Sequence, residues 1–233
     1  MDLSGARVLV AGATGVLGSA IATALHEQGA RPALAGRDTA KLDELAGRLG
    51  DAPAFGFDAL DLDRCAALVD AAADALGGLD LLVVAIGVAA FGPVEDTDDL
   101  VVEHLFAVNT MAPMALVRAA LPRLERGGSV AVLSAILADL PTAGMAAYSA
   151  SKAGLSGWLT AVRHEQRRRG VTVLDVRPPH VDTGLADRPI AGTAPRLKAA
   201  VSADEVVRRI VEAIRDDRRE LRFDLRAAEF VTG

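Results

Sequence analysis

Apolar strand-like segments and helix-like segments alternate six times along this chain, and that alternation leaves few folds open. "ARVLVAGA" (6–13) reads as a short strand, followed by a helical pattern from about Leu17 to Gln28. "RPALAGR" (31–37), "PAFGFDA" (53–59), "LDLLVVAIG" (79–87), "GSVAVLSA" (128–135) and "VTVLDVRPP" (171–179) repeat the strand pattern. Helical patterns at 39–49, 63–76, 98–122 and 146–169 separate them. A further helix at 202–217 precedes a candidate last strand, "ELRFDL" (220–225). Strands that are apolar throughout imply burial on both faces, as in a parallel sheet covered by helices. The expectation is an α/β fold, a single domain over residues 1–233 with a doubly wound parallel sheet of about seven strands. Composition agrees: 51% apolar, 24% charged and only 3% aromatic residues describe a core of Ala, Val and Leu and exclude a disordered chain.

Charge and cysteine usage narrow the setting. The net charge is −6, and the arginines at 167–169 are offset by Glu165 and the acidic run 95–99, so no nucleic-acid partner is expected. Cys65 is the only cysteine, which rules out an internal disulfide and suits a reduced, cytoplasmic location. The first residues carry no charged-then-apolar leader, and no apolar run reaches the ~18 residues a membrane span needs. A soluble protein without a membrane partner or a metal site is therefore expected.

"AGATGVLG" sets Gly12, Gly15 and Gly18 three apart between the first strand and the first helix. A turn without Cβ atoms lets backbone N–H groups approach a pyrophosphate at the positive end of the helix, with Thr14, Val16 and Leu17 in the same cradle. The spacing is GxxGxxG rather than GxGxxG, so the strand–turn–helix context carries the inference; a packing turn is the alternative. At the end of the second strand stand Gly36 and Arg37. A carboxylate there would hold a free ribose 2′-OH, whereas an arginine neutralises a 2′-phosphate, for which Gly36 leaves room. NADP is thus expected ahead of NAD, against the alternative of a surface arginine. Asp58, closing the third strand, suits either the adenine amino group or a helix cap.

Tyr148 and Lys152, in "YSASK", stand four apart and share one helix face. A free tyrosine has pKa ~10, and bringing it near 7 takes ~4 kcal/mol of preferential stabilisation of phenolate. The Lys152 ammonium and a positive nicotinamide could supply that field, letting Tyr148 exchange a proton with a carbonyl oxygen. The alternative is an exposed tyrosine beside a solvated lysine.

With the glycine turn at 12–18, "YSASK" after the fifth strand and Asn109 in "FAVNTMAP", nearly all of the chain resembles the short-chain dehydrogenase/reductase family. The resemblance implies a Rossmann-type domain that moves a hydride between nicotinamide and a carbonyl/secondary alcohol pair, with Tyr148 as general acid/base. It further implies that Lys152 binds the nicotinamide ribose and that Asn109 orders a water in a proton relay. Gly87, Pro178, Val181 and Thr183 would line the nicotinamide pocket, Thr183 at the carboxamide. Matching helices pack across a two-fold axis in this family, so a homodimer is expected, with a tetramer as a further option; Leu155, Trp158 and Leu159 would supply apolar surface.

The departures matter as much. Relatives carry a substrate-polarising serine thirteen residues before the tyrosine, where this chain has Ala135 and Ser134 lies one place earlier. One extra loop residue would bring Ser134 into place; without it the site has no serine. "VAIG" (84–87) replaces an asparagine-containing run, His180 enters the turn "RPPHVDTG" (177–184), and the C-terminus lacks a glycine-rich ending. His180 either titrates beside the nicotinamide or faces solvent. The Gly-, Pro- and Ala-rich stretch around 183–200 suits a substrate lid, and its Leu185, Ile190 and Leu197 suggest a partly hydrophobic ligand. Two rivals to a dehydrogenase acting on a small molecule stay open: a dinucleotide-binding sensor or scaffold of low activity, and a nucleotide-sugar epimerase or dehydratase, for which the chain looks short.

Overall fold

Val8 and Val10 of the first strand pack into one layer of helices, and Leu9 and Ala11 into the opposite layer. That two-sided burial is what makes the strand apolar throughout. The computed structural model describes residues 1–195 and 201–233. Seven strands lie parallel: β1 (Arg7–Ala11), β2 (Arg31–Gly36), β3 (Ala54–Gly56), β4 (Leu81–Val84), β5 (Ser129–Leu133), β6 (Thr172–Arg177) and β7 (Glu220–Asp224). An eighth, β8 (Glu229–Thr232), pairs antiparallel with β7 and was not expected. The sheet order is β3-β2-β1-β4-β5-β6-β7-β8.

Helices α1 (Val16–Glu27), α2 (Thr39–Arg48) and α7 (Ala203–Arg215) cover one face. Helices α3 (Leu62–Leu76), α5 (Ala112–Ala120) and α6 (Ala146–Gln166) cover the other, with α4 (Asp99–Phe106) leading into α5. Asp38, Asp61 and Ser202 cap α2, α3 and α7 by accepting the N–H of Lys41, Arg64 and Glu205. The connections after β1 and β4 leave on opposite sides, so a crevice opens between the carboxyl ends of these neighbouring strands.

The helix expected at 98–122 is interrupted by a π-helical segment, Ala107–Met111, between α4 and α5. The whole run Asp99–Arg123 has a window of mean hydropathy 1.5, long and apolar enough by composition to cross a membrane. Half of that window is buried here, with Val108, Ala112, Leu116 and Val117 packed in the core beside α3. Leu155 and Leu159 are fully buried in the same cluster and Trp158 packs against it. Leu155 and Leu159 thus fill the protein's own core, while Trp158 is half-buried at its edge. Cys65 is buried too, and desolvation, then Asp61 and Asp58, pushes its thiol up to about 11, which makes it unreactive.

Candidate functional site

The glycine turn sits at the crevice, and its three glycines answer to different constraints. Gly12 has φ +95°, and a Cβ there would lie 2.5 Å from the Ala85 carbonyl oxygen at the end of β4. A Cβ on Gly18 would lie 2.0 Å from the Gly12 oxygen. The protein's own packing demands both. Gly15 is different: it is exposed, its φ is −83°, and a Cβ would meet only the Gly12 oxygen at 3.4 Å. It caps α1 without any side-chain hydrogen bond, so the first N–H groups of the helix, at Val16, Leu17 and Gly18, have no capping acceptor among the described residues. Space above Gly15 and donors behind it form a seat for an anion.

The second-strand residues correct one expectation. A Cβ on Gly36 would fall 2.7 Å from Thr14 Oγ1, so the room beside Gly36 holds the Thr14 side chain rather than standing open for a phosphate. Arg37 is exposed and, among the described residues, makes no hydrogen bond or ion pair. Asp58 is exposed, and one of its oxygens accepts the Leu60 N–H at 3.0 Å, a turn contact; Asp61 is the cap of α3.

Tyr148, in the first turn of α6, is only 7% exposed and packs with Ala89, Ala90, Phe91, Leu105, Ala135 and Met145. Its hydroxyl makes no hydrogen bond to a described residue. Lys152, one turn along, is 3% exposed and donates to the Leu133 carbonyl at 3.2 Å. Burial pushes the Tyr148 phenol up to about 12. It pushes the Lys152 ammonium down to about 8, with the Asp175 carboxylate pulling the other way. In the protein by itself burial alone shifts the phenol, and it does so upward; the acidic phenol was expected with a positive nicotinamide beside it.

Asn109 lies within the π-helical segment. Its amide accepts the Val88 N–H at 2.9 Å and donates to the Val88 oxygen at 3.0 Å and to Ser151 Oγ at 3.1 Å. Both amide protons are thus spent, leaving one lone pair of Oδ1 for a water. A Cβ on Gly87 would lie 3.3 Å from that oxygen and 3.4 Å from Lys152 Nζ, so Gly87, Asn109 and Lys152 converge. Thr110 Oγ1 also donates to the Ser151 carbonyl oxygen at 2.8 Å, and Ser151 Oγ to the Tyr148 carbonyl oxygen at 2.7 Å. Ser151, which the motif reading passed over, therefore ties the π segment to the turn that carries Tyr148.

Ser134 does not reach this chamber. The Ser134 N–H donates to the Val176 oxygen at 2.8 Å and the Ile136 N–H to the Pro178 oxygen at 3.0 Å. The β5–β6 pairing thus runs on past Leu133 with no extra residue, and neighbouring side chains keep facing opposite ways. Ser134 Oγ turns to Asp175 Oδ1 at 2.5 Å, while Ala135 packs beside Tyr148 and Met145. The reading of Ser134 as the carbonyl-binding hydroxyl is corrected: the position facing Tyr148 carries a methyl group.

Pro178 and Val181 are buried and Thr183 and His180 half-buried where the chain leaves β6. The lid segment is drawn onto the chamber: the Ile190 N–H donates to the Ala89 oxygen at 2.8 Å and the Phe91 N–H to the Ala191 oxygen at 3.0 Å. Gly192 permits that approach, since its φ is +71° and a Cβ would lie 1.7 Å from the Phe91 oxygen. Ala186, Ile190 and Ala194 close over the Tyr148 cluster, and Leu185 stays exposed. The far end of the expected lid, with Leu197, lies outside the described residues.

A doubly wound sheet with a bare helix N-terminus at its crevice is the architecture of a dinucleotide-binding α/β domain. Within that class the chain belongs to the short-chain dehydrogenase family, whose model matches residues 6–191. It is 31% identical to the ketoacyl reductase HetN of a Nostoc species over 94% of this chain and 78% of that protein. It is 33% identical, over 77% of this chain and 75% of the relative, to the cyclic-di-GMP-binding biofilm dispersal mediator protein of Escherichia coli. A short-chain dehydrogenase from Burkholderia cenocepacia, solved in complex with NADP, superposes with a TM-score of 0.80 at 30% identity, covering 92% of each chain.

Proposed function

We propose that the protein is an NADP(H)-dependent reductase of a carbonyl compound, running reversibly on the matching secondary alcohol. The observation that carries this reading is Tyr148, a buried residue whose hydroxyl has no partner among the described residues, one turn from Lys152 in an apolar chamber. The NADP of the Burkholderia relative supports the dinucleotide, and the space over Gly15 fits its pyrophosphate. Val16, Leu17 and Gly18 would hold the pyrophosphate, Arg37 the 2′-phosphate and Asp58 the adenine amino group. Lys152 would take the nicotinamide ribose, Thr183 the carboxamide, and Gly87, Pro178 and Val181 the flanks of the ring. Nicotinamide bound there supplies the hydride for the carbonyl carbon.

Tyr148 Oη gives its proton to the carbonyl oxygen, which becomes the alcohol hydroxyl, and Lys152 stabilises the phenolate left behind. With its phenol held up to about 12, Tyr148 carries that proton at physiological pH in the protein by itself. The apolar lining selects an uncharged body around the reacting group. A panel of ketones and aldehydes with NADPH and NADH, followed by loss of reduced-nicotinamide absorbance, tests the reading; turnover of apolar carbonyls supports it, and none across the panel contradicts it.

Two substitutions sharpen the assignment. Ala135→Ser places a donor beside Tyr148, and the expected result is a kcat higher by roughly tenfold or more, since one such donor is worth ~10²–10³ in optimised sites. An unchanged kcat would mean that the carbonyl does not sit against Ala135. Arg37→Ala should lower the ratio of kcat/KM for NADPH over NADH by roughly 10- to 100-fold, the worth of a charge-assisted hydrogen bond. A constant ratio would remove Arg37 from the phosphate site.

The second reading is a dinucleotide-binding regulator with little turnover. Ala135 favours it, and the Escherichia coli relative is named for binding and mediation rather than for catalysis. Tight NADPH binding without turnover on the panel would select it.

A further inference from the structure

Asp175 is a fully buried carboxylate in β6, a strand otherwise apolar inside the sheet apart from Arg177. Three donors converge on it. Ser134 Oγ reaches Oδ1 at 2.5 Å, and Ser156 Oγ and Arg177 Nε reach Oδ2 at 2.5 and 2.7 Å. Ser134 directly follows Leu133, whose carbonyl seats Lys152 Nζ, and Ser156 lies one turn beyond Lys152 on α6. The carboxylate is therefore tied to both elements that hold the ammonium. Nothing in packing β5 against β6 calls for a charge, and burying one is costly unless it is compensated.

The groups around Lys152 are few. Its own helix brings Tyr148, one turn back. The loop after β4 and the π segment bring Gly87 and Asn109, which carry no charge. From β6 come Asp175 and, behind it, Arg177, which is also paired with Asp139 at 2.9 Å and with Glu220 on β7 at 3.4 Å. Asp175 is the carboxylate whose charge opposes the effect of burial on Lys152.

We infer that Asp175 is a positioning residue that holds Lys152 in its ammonium form beneath Tyr148, with Arg177 acting against it. This rests on Lys152 being the charged partner of Tyr148 in the proposed reaction. The sign follows from Coulomb's law: removing the carboxylate destabilises the ammonium and lowers its titration midpoint, and removing the guanidinium does the reverse. Opposite displacements separate electrostatics from damage to the fold, which would move both variants alike.

The chain holds three lysines, Lys41, Lys152 and Lys198, so side-chain carbon NMR of lysine-labelled protein resolves each, with Lys152→Met assigning the signal. In Asp175→Asn the Lys152 midpoint should fall by ~1 pH unit from wild type, and in Arg177→Gln it should rise. Midpoints that stay put, or move in the same direction, overturn the inference. If Asp175→Asn does not fold, Arg177→Gln decides alone: a rise supports the assignment and no change overturns it. The titration needs no turnover, so inactivity toward carbonyls would count against the proposed reaction and leave this result standing. Where turnover is found, the basic limb of the pH–rate profile should follow the NMR midpoint in each variant.

Discussion

Tyr148→Phe lowers turnover by roughly a thousandfold while dinucleotide affinity and melting temperature stay near wild type. The magnitude is that of a positioned general acid, typically ~10²–10⁴. Phenylalanine keeps the ring that packs on Phe91, Leu105 and Met145, so the chamber does not collapse. The hydroxyl makes no hydrogen bond to a described residue, so removing it orphans no protein group and carries no desolvation penalty. Loss of rate with stability intact therefore reports chemistry alone. Steady-state kinetics with a reducible carbonyl, paired with thermal melts and an NADPH titration, measures all three. A variant turning over at the wild-type rate would take the proton donor away from Tyr148.

The second large effect comes from the glycine turn, where two similar substitutions should behave differently. Gly18→Ala puts a methyl group 2.0 Å from the Gly12 oxygen, and its nearest neighbours are all backbone atoms of Gly12 and Ala13, which cannot swing away. Overpacking of that kind should lower the melting temperature by roughly 5–10 °C and abolish dinucleotide binding with it. Gly15→Ala meets only a 3.4 Å contact at an ordinary φ, so the fold should lose no more than ~1 kcal/mol. It nevertheless fills the space through which a pyrophosphate would approach the end of α1, and affinity for NADPH should fall by about tenfold or more. Melting curves and fluorescence titration of NADPH distinguish the two. Wild-type affinity in Gly15→Ala would mean that the dinucleotide does not use this cradle.

The parallel strands were legible because burial on both faces leaves a continuous apolar run, as in β4 and β5. β8 was not: it is a mostly exposed edge strand, "EFVT", with one apolar face at best. The π segment escaped notice because one extra residue in a turn barely disturbs a helical pattern over 98–122. At the site, the motif spacing named Tyr148, Lys152 and the three glycines and the family resemblance named Asn109, and the geometry brings Asn109 and Lys152 together at Gly87, with Tyr148 one turn before Lys152. The register of Ser134 was undecidable from spacing, since it hinged on whether the β5–β6 pairing continued past Leu133. The direction of the phenol's shift was equally hidden, because it depends on how completely the lid and the β4 loop exclude water. One signal went unread: Asp175 and Arg177 are charges inside an otherwise apolar run, "TVLDVR", where a buried strand normally carries none.

The chain contains one tyrosine, so the near-ultraviolet absorbance of tyrosinate reports Tyr148 alone. Burial raises its pKa to about 12 in the folded protein, against ~10 in the unfolded chain. Stability is therefore lost as pH climbs through that window, and the titration is read below its upper end. The expected result is almost no tyrosinate in the free protein at pH ~10, where an exposed phenol is half ionised. Saturating oxidised NADP should then move ionisation to lower pH, because a positive ring beside the hydroxyl favours phenolate. Half-ionisation near pH ~10, unchanged by the dinucleotide, would place the hydroxyl in water and away from the nucleotide crevice, contradicting its role as the proton donor.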